Sequence, residues 1–186
     1  MRAGDHLLGL INQVLDLAKI ESGHFNLSVE PVVVDPLVAE CFALVNTLAA
    51  RRSIEMRYRG RVSEVVAADQ TRLKQALLNL LSNAIKYNRE GGRIDVELQD
   101  AQDGMLRILV ADTGRGIPTD RLPELFQPFN RLSAETSEIE GTGIGLAICK
   151  KVVQNHGGAI WAESEPGNGS VFHIILAKTA PETKSP

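Results

Sequence analysis

Residues 112–142 constrain this chain most. Beyond one short helical stretch near 119–125, they hold no apolar periodicity that sustains a helix or a strand. A loop that long is uncommon inside a compact domain and usually functional, and it needs a rigid frame on both sides. The frame is legible. Residues 93–99 and 105–111 alternate as a strand pair around the polar turn Asp100–Gly104. Residues 143–156 read as a helix stopped by Gly157-Gly158.

The same patterns organise the rest. Residues 28–34 predict a strand ending at Asp35-Pro36, with Asp35 as N-cap and Pro36 as first residue of a helix reaching about Arg52. Strands are expected at 54–59 and, more briefly, 62–67. Asp69 caps a helix to about Asn88, and Gly91-Gly92 turns the chain. Residues 159–164 and 170–177 predict a hairpin around Pro166-Gly167-Asn168-Gly169. The polar tail from Lys178 is expected to be disordered. At the other end, Leu7, Leu8, Ile11, Val14, Leu15 and Ala18 recur at helical spacing over 5–22, and Gly23 stops the run. Leu10 and Leu17 widen that stripe, which predicts packing on more than one neighbour, as in one half of a helical hairpin. Hairpins dominate the second half, so the pattern favours a mixed sheet with helices on one face.

Bulk properties exclude several classes. A length of 186 residues suits one domain with a short appendage. The net charge of −3 gives no basic surplus for nucleic-acid binding. Cys41 and Cys149 lack metal-ligand spacing and read as buried thiols in a reducing compartment. No apolar run is long enough for a bilayer, and the N-terminus lacks a signal-peptide pattern. These residues are expected to be soluble and cytoplasmic, which leaves a parent protein free to be membrane-anchored.

Four segments carry chemistry. On the helix 69–88, Asn79 and Asn83 are one turn apart, with Lys86 and Tyr87 a turn later. Leu73, Leu77, Leu80, Leu81 and Ala84 occupy the opposite face. Two aligned amide oxygens suit a hard cation such as Mg²⁺, and an adjacent lysine suits phosphate. Alone, this is as readily a solvated helix face. Next, Asp112-Thr113-Gly114-Arg115-Gly116 follows a strand. A carboxylate there can accept from an exocyclic amine, and the two glycines let backbone approach a flat ligand. Alone, it is as readily an ordinary turn. Third, Gly141-Thr142-Gly143-Ile144-Gly145-Leu146 opens a helix whose N-terminal amides face an anion. It matches neither the dinucleotide fingerprint nor the lysine-bearing P-loop. Between these lies Phe126-Gln127-Pro128-Phe129-Asn130-Arg131. Its rings are expected to anchor a loop to the domain body or to sit in the core, with Arg131 reaching a phosphate.

In this order, and with Gly167-Asn168-Gly169-Ser170 before the last strand, these segments resemble the catalytic, ATP-binding domain of sensor histidine kinases. The resemblance covers about residues 5–177. It implies an α/β fold, a two-layer sandwich shared with gyrase, Hsp90 and mismatch-repair ATPases. That fold has a mixed, largely antiparallel sheet on about three helices, with a lid loop and an N-terminal helix. It implies residues 1–23 as part of a dimerisation and phosphotransfer hairpin, 24–178 as the catalytic domain, and 179–186 as a tail. By resemblance, Asn83 binds Mg²⁺ with Asn79 assisting, Lys86 contacts phosphate, and Tyr87 lies against the nucleotide. Asp112 accepts from the adenine amino group, while Gly114, Gly116 and Ile117 line the base. Phe126 and Thr142 border the site, residues 131–141 form the lid, and Gly143, Ile144, Gly145 and Leu146 cradle the phosphates. Asn79, Lys86 and Arg131 are the catalytic candidates.

The resemblance implies ATP and Mg²⁺, the histidine-bearing hairpin of a parent kinase, a downstream response-regulator receiver domain, and no nucleic acid. It implies a homodimer for a full-length protein, whereas a truncated hairpin is compatible with a monomer. None of His6, His24, His156 or His173 has the sequence setting of the phosphoacceptor, so the γ-phosphoryl is expected to go to a histidine outside these residues. Asn88-Arg89 stand where Thr-Pro is frequent, and His156 where methionine is common. ATP-hydrolysing relatives carry a glutamate one turn before the metal asparagine. Asn79 stands there, and an amide is a poor general base, which favours transfer over hydrolysis. Two alternatives share the motifs: an anti-sigma-type serine kinase, which helix 5–22 argues against, and a nucleotide-binding pseudokinase scaffold.

Overall fold

The computed structural model describes residues 27–60, 64–130 and 142–179. The expected helix 5–22, His6, His24, Arg131, Gly141, the lid 131–141 and residues 180–186 lie outside the described residues. Among the described residues, seven strands and three α-helices follow one another. They are β1 (Glu30–Val33), α1 (Val34–Ala50), β2 (Glu55–Arg59), β3 (Val65–Ala68), α2 (Gln70–Lys86), β4 (Arg93–Asp100), β5 (Met105–Asp112), α3 (Gly145–Asn155), β6 (Ala159–Glu165) and β7 (Gly169–Ala177). A 3₁₀ turn spans Thr119–Glu124.

The main sheet runs β2-β4-β5-β7-β6, with only β2 and β4 parallel; β1 and β3 pair as a second, antiparallel sheet. The period-2 pattern sets the layers. Ile94, Val96 and Leu98 on β4, Leu106, Ile108 and Val110 on β5, and Phe172, Ile174 and Leu176 on β7 are buried. Register aligns them in rows such as Leu98, Ile108 and Ile174. The apolar sides of α2 and α3 complete this core, so the sheet carries its helices on one face as expected. Each fully buried Leu or Ile side chain here contributes about 2 kcal/mol. Among the described residues, no helix is long and apolar enough to cross a membrane. Cys41 and Cys149 are free and buried, and burial pushes their thiols up to about 11 and about 12.

Two local expectations need correction. Asp35 is not the cap of α1. The helix starts two residues earlier, at Val34 rather than Pro36, and its first amide, Val34 N, donates to Glu64 O at 2.9 Å because β1 pairs with β3. The Asp35 carboxylate instead accepts from the Tyr58 hydroxyl. The tail is also ordered further than expected: Lys178 N donates to Gly104 O and Thr179 N to Val65 O. The Asp69 cap is as predicted. Its Oδ1 accepts from Arg72 N at 3.0 Å, while Oδ2 accepts from Ser28 N at 3.1 Å. Asp69→Ala should therefore cost about 1–2 kcal/mol of unfolding free energy, measured by urea denaturation; an unchanged midpoint would refute the cap's role.

Candidate functional site

The site is built on α2. Its buried stripe is Leu73, Ala76, Leu77, Leu80, Leu81, Ala84 and Ile85. Helical geometry leaves Asn79, Asn83 and Lys86 half-buried on the other side. The C-terminal carbonyls of α2 have no intrahelical donor, and a side chain from another element supplies one. The Arg52 guanidinium donates to Ile85 O, to Lys86 O at 2.8 Å and to Asn88 O at 2.8 Å. That positive group also opposes the negative end of the helix dipole.

The base-proposed and phosphate-proposed segments both adjoin this helix. At the C-terminal end of β5, Asp112 Oδ1 accepts from Gly114 N at 2.8 Å. The Ser170 amide is a second donor to the carboxylate, yet desolvation dominates and pushes the group from 3.8 up to about 6. Arg115 N donates to Tyr87 O at 3.2 Å, and the Arg115 guanidinium lies 4.8 Å from the Tyr87 ring centroid. Lys86 Nζ lies 5.4 Å from the same ring. Gly116 has φ +69 and faces the Glu165 carbonyl so closely that a Cβ would overlap it. Ile117 N donates to Ser164 Oγ at 2.8 Å, which ties this loop to β6.

On the other side, Asn79 Nδ2 donates to Gly145 O at 3.3 Å. The glycine run therefore sits on the asparagine face of α2. Gly143 has φ +72 and its carbonyl accepts from Phe129 N at 3.1 Å. Thr142 Oγ1 accepts from Ile144 N at 3.2 Å. Phe126 packs on the core, with Lys150 Nζ 5.8 Å from its ring. Leu146 and Ile117 are partly buried against the same core.

Two expectations change. The Ile144 side chain is 1% exposed and belongs to the core, so only its backbone can face a ligand. Phe129 is neither an anchor nor core: it is 65% exposed with φ 62, because Gly143 holds its backbone in a turn. Sequence reasoning missed Arg52 as a helix cap and Ser164 as a loop anchor. Arg52 bonds residues 33–36 positions away, a relation without local signal.

No cluster of three or more His, Cys, Asp or Glu fit for a metal occurs among the described residues. Asn79 and Asn83 offer neutral oxygens, which suit a hard cation that keeps waters and takes other ligands from a bound phosphate. The described histidines are committed elsewhere. His156 Nε2 accepts from Asp69 N at 2.8 Å, which leaves its Nδ1 to donate to Val152 O at 2.7 Å. His173 is 5% exposed and stacks on Trp161, and burial lowers its pKa.

The profile described as histidine kinase-, DNA gyrase B-, and HSP90-like ATPase matches residues 68–180. An uncharacterized sensor-like histidine kinase of Rhizobium meliloti is 37% identical over 183 residues, covering 96% of this chain and 34% of that protein. The chain thus spans about a third of that relative. The crystal structure of full-length ShkA with AMPPNP superposes with TM-score 0.87 at 31% identity, over 97% of this chain and 37% of that one. Histidine kinase ThkA in complex with the response regulator TrrA gives TM-score 0.72 at 28% identity, over 93% and 49%.

Asp112 makes one outcome measurable. Its folded value is raised from 3.8 to about 6, so the stability it contributes is present below pH 3.8 and lost as pH rises through 6. Wild type should lose about 2 kcal/mol relative to Asp112→Asn between pH 4 and pH 7. Urea melts at both values check this; a pH-independent difference would show that the carboxylate is solvated.

Proposed function

The chain belongs to the histidine kinase-, DNA gyrase B- and HSP90-like ATPase family, and from that premise we propose that it binds ATP and transfers the γ-phosphoryl group to a histidine outside these residues. The observation that carries the reading is the convergence on one helix. The Asn79–Asn83–Lys86 face of α2 meets the glycine run through the Asn79–Gly145 bond and the Asp112 loop through Tyr87. The chemistry of each group supports a role. The Asp112 carboxylate accepts the adenine 6-amino group, Tyr87 lies against the nucleotide, and Gly114, Gly116 and Ile117 border the base. Gly143, Gly145 and the first amides of α3 face the phosphates. Lys86 and Arg131 supply positive charge, Arg131 from a lid.

Asn83, with Asn79 assisting, would hold Mg²⁺, which supplies charge neutralisation on the phosphate oxygens when bound. Transfer needs position more than covalent help: the bond from the γ-phosphorus to the β–γ bridging oxygen breaks as a bond to the imidazole nitrogen forms, leaving ADP. The engaged nitrogens of His156 and the burial of His173 support an acceptor supplied by another segment, which we assign to the hairpin of a homodimeric parent kinase. A receiver domain downstream fits the pairing in the ThkA–TrrA complex. ATP chemistry and two unpaired thiols suit a cytoplasmic setting.

The deciding experiment mixes this chain, ATP and Mg²⁺ with a separate hairpin bearing the acceptor histidine. Phosphohistidine should form with wild type, and Asp112→Asn should weaken ATP binding at least ~10-fold through loss of a charge-assisted hydrogen bond. Tight ATP binding without any phosphohistidine would point instead to a scaffold. Separately, Asn79→Glu should raise ATP hydrolysis by restoring a general base; no rise would mean that water is excluded by other means.

A further inference from the structure

Asn88 lies just beyond α2 and is a polar residue only 6% exposed. Its side chain ties the segment after α2 to the start of β4 and the end of β5. Nδ2 donates to Arg93 O at 3.1 Å, and Oδ1 accepts from Arg89 N at 3.0 Å and from Thr113 Oγ1 at 3.2 Å. Thr113 Oγ1 in turn accepts from Arg93 N at 2.9 Å. The Asn88 carbonyl accepts from Arg52 at 2.8 Å, the guanidinium that holds the end of α2. Gly92 leaves room for this junction, because a Cβ there would press on Asn88 Oδ1 and come within 2.9 Å of Thr113 Oγ1. Thr113 directly follows Asp112, at the point where β5 ends and the chain turns into the loop.

We propose that Asn88 is a positioning residue for base recognition, setting the Asp112 carboxylate through Thr113 at a fixed distance from the Asn83–Lys86 end of α2. This rests on the reading that Asp112 accepts from the adenine 6-amino group. A ligand held at both ends binds best when the two subsites are already spaced to match it. Hydrogen bonds weaken steeply with misalignment, so a drifting carboxylate would lose the amine first and the phosphates little. Merely structural support by Asn88 would weaken every nucleotide alike.

The test compares ATP with purine riboside triphosphate, which lacks the 6-amino group, both with Mg²⁺ and the full 186-residue chain. The ratio of their affinities reads the contact at Asp112. Wild type should prefer ATP by ~10-fold or more, the worth of a charge-assisted hydrogen bond. Asn88→Ala should cut that preference by about 3- to 10-fold, while the affinity for purine riboside triphosphate stays nearly constant. Thr113→Val, which removes only the bridging hydroxyl, should do the same and carries the test if Asn88→Ala does not fold. Equal losses on both nucleotides, or an undiminished preference, overturn the proposal. Wild type binding both nucleotides equally would overturn the Asp112 reading and this proposal with it. Wild type binding neither would overturn nucleotide recognition itself.

Discussion

The rotational setting of α2 is the constraint on which the rest of the site depends. One helix must bury Leu73, Leu77, Leu80 and Leu81 and still present Asn79, Asn83 and Lys86 beside the loops. Successive residues differ by about 100° around the axis, so a rotation by one position would bury the asparagines and expose leucines. Both ends are held by distant groups. At the start, Asp69 caps the helix while its own amide donates to His156, just past the end of α3. At the end, Arg52 gathers the free carbonyls. Core packing and polar presentation are therefore two sides of a single placement.

The electrostatics of the site follow from that placement. Asp112 is desolvated by the elements that also bring Gly114 and Ser170 amides to it, and those two donors do not fully offset the burial. Desolvation of this carboxylate costs stability at neutral pH, and an amine donor at it would offset that cost. The glycines serve the same end. At Gly116 and Gly169 a positive φ and carbonyls in near contact allow the loop and the β6–β7 turn to close around residues 112–117. Stability is traded here for readiness to bind, a common arrangement at functional sites.

Much of this was legible in the sequence because the signals are local. Alternation in 93–99 and 105–111 located the central hairpin, and the helical spacing of 69–88 separated its leucines from its asparagines. Asp35 misled because a strand pairing, invisible locally, supplied the acceptor for the first helical amide. Ile144, named with its glycine neighbours as a phosphate contact by resemblance, stands at the N-cap of α3 with its side chain in the core. Phe129 reads as core by type, yet a tight turn against Gly143 leaves its ring outside. Arg52, Asn88 and Ser164 act through partners that only the tertiary fold brings near.

The central claim is that one pocket takes the adenine at Asp112 and the metal-bound phosphates at Asn83 and the Gly143–Gly145 run. Its most direct test is a crystal structure of this chain with Mg²⁺ and a non-hydrolysable ATP analogue. The expected result places the adenine 6-amino group within hydrogen-bond distance of the Asp112 carboxylate and the cation on the Asn83 side-chain oxygen. A base seated away from Asp112, or phosphates away from the N-terminus of α3, would contradict it.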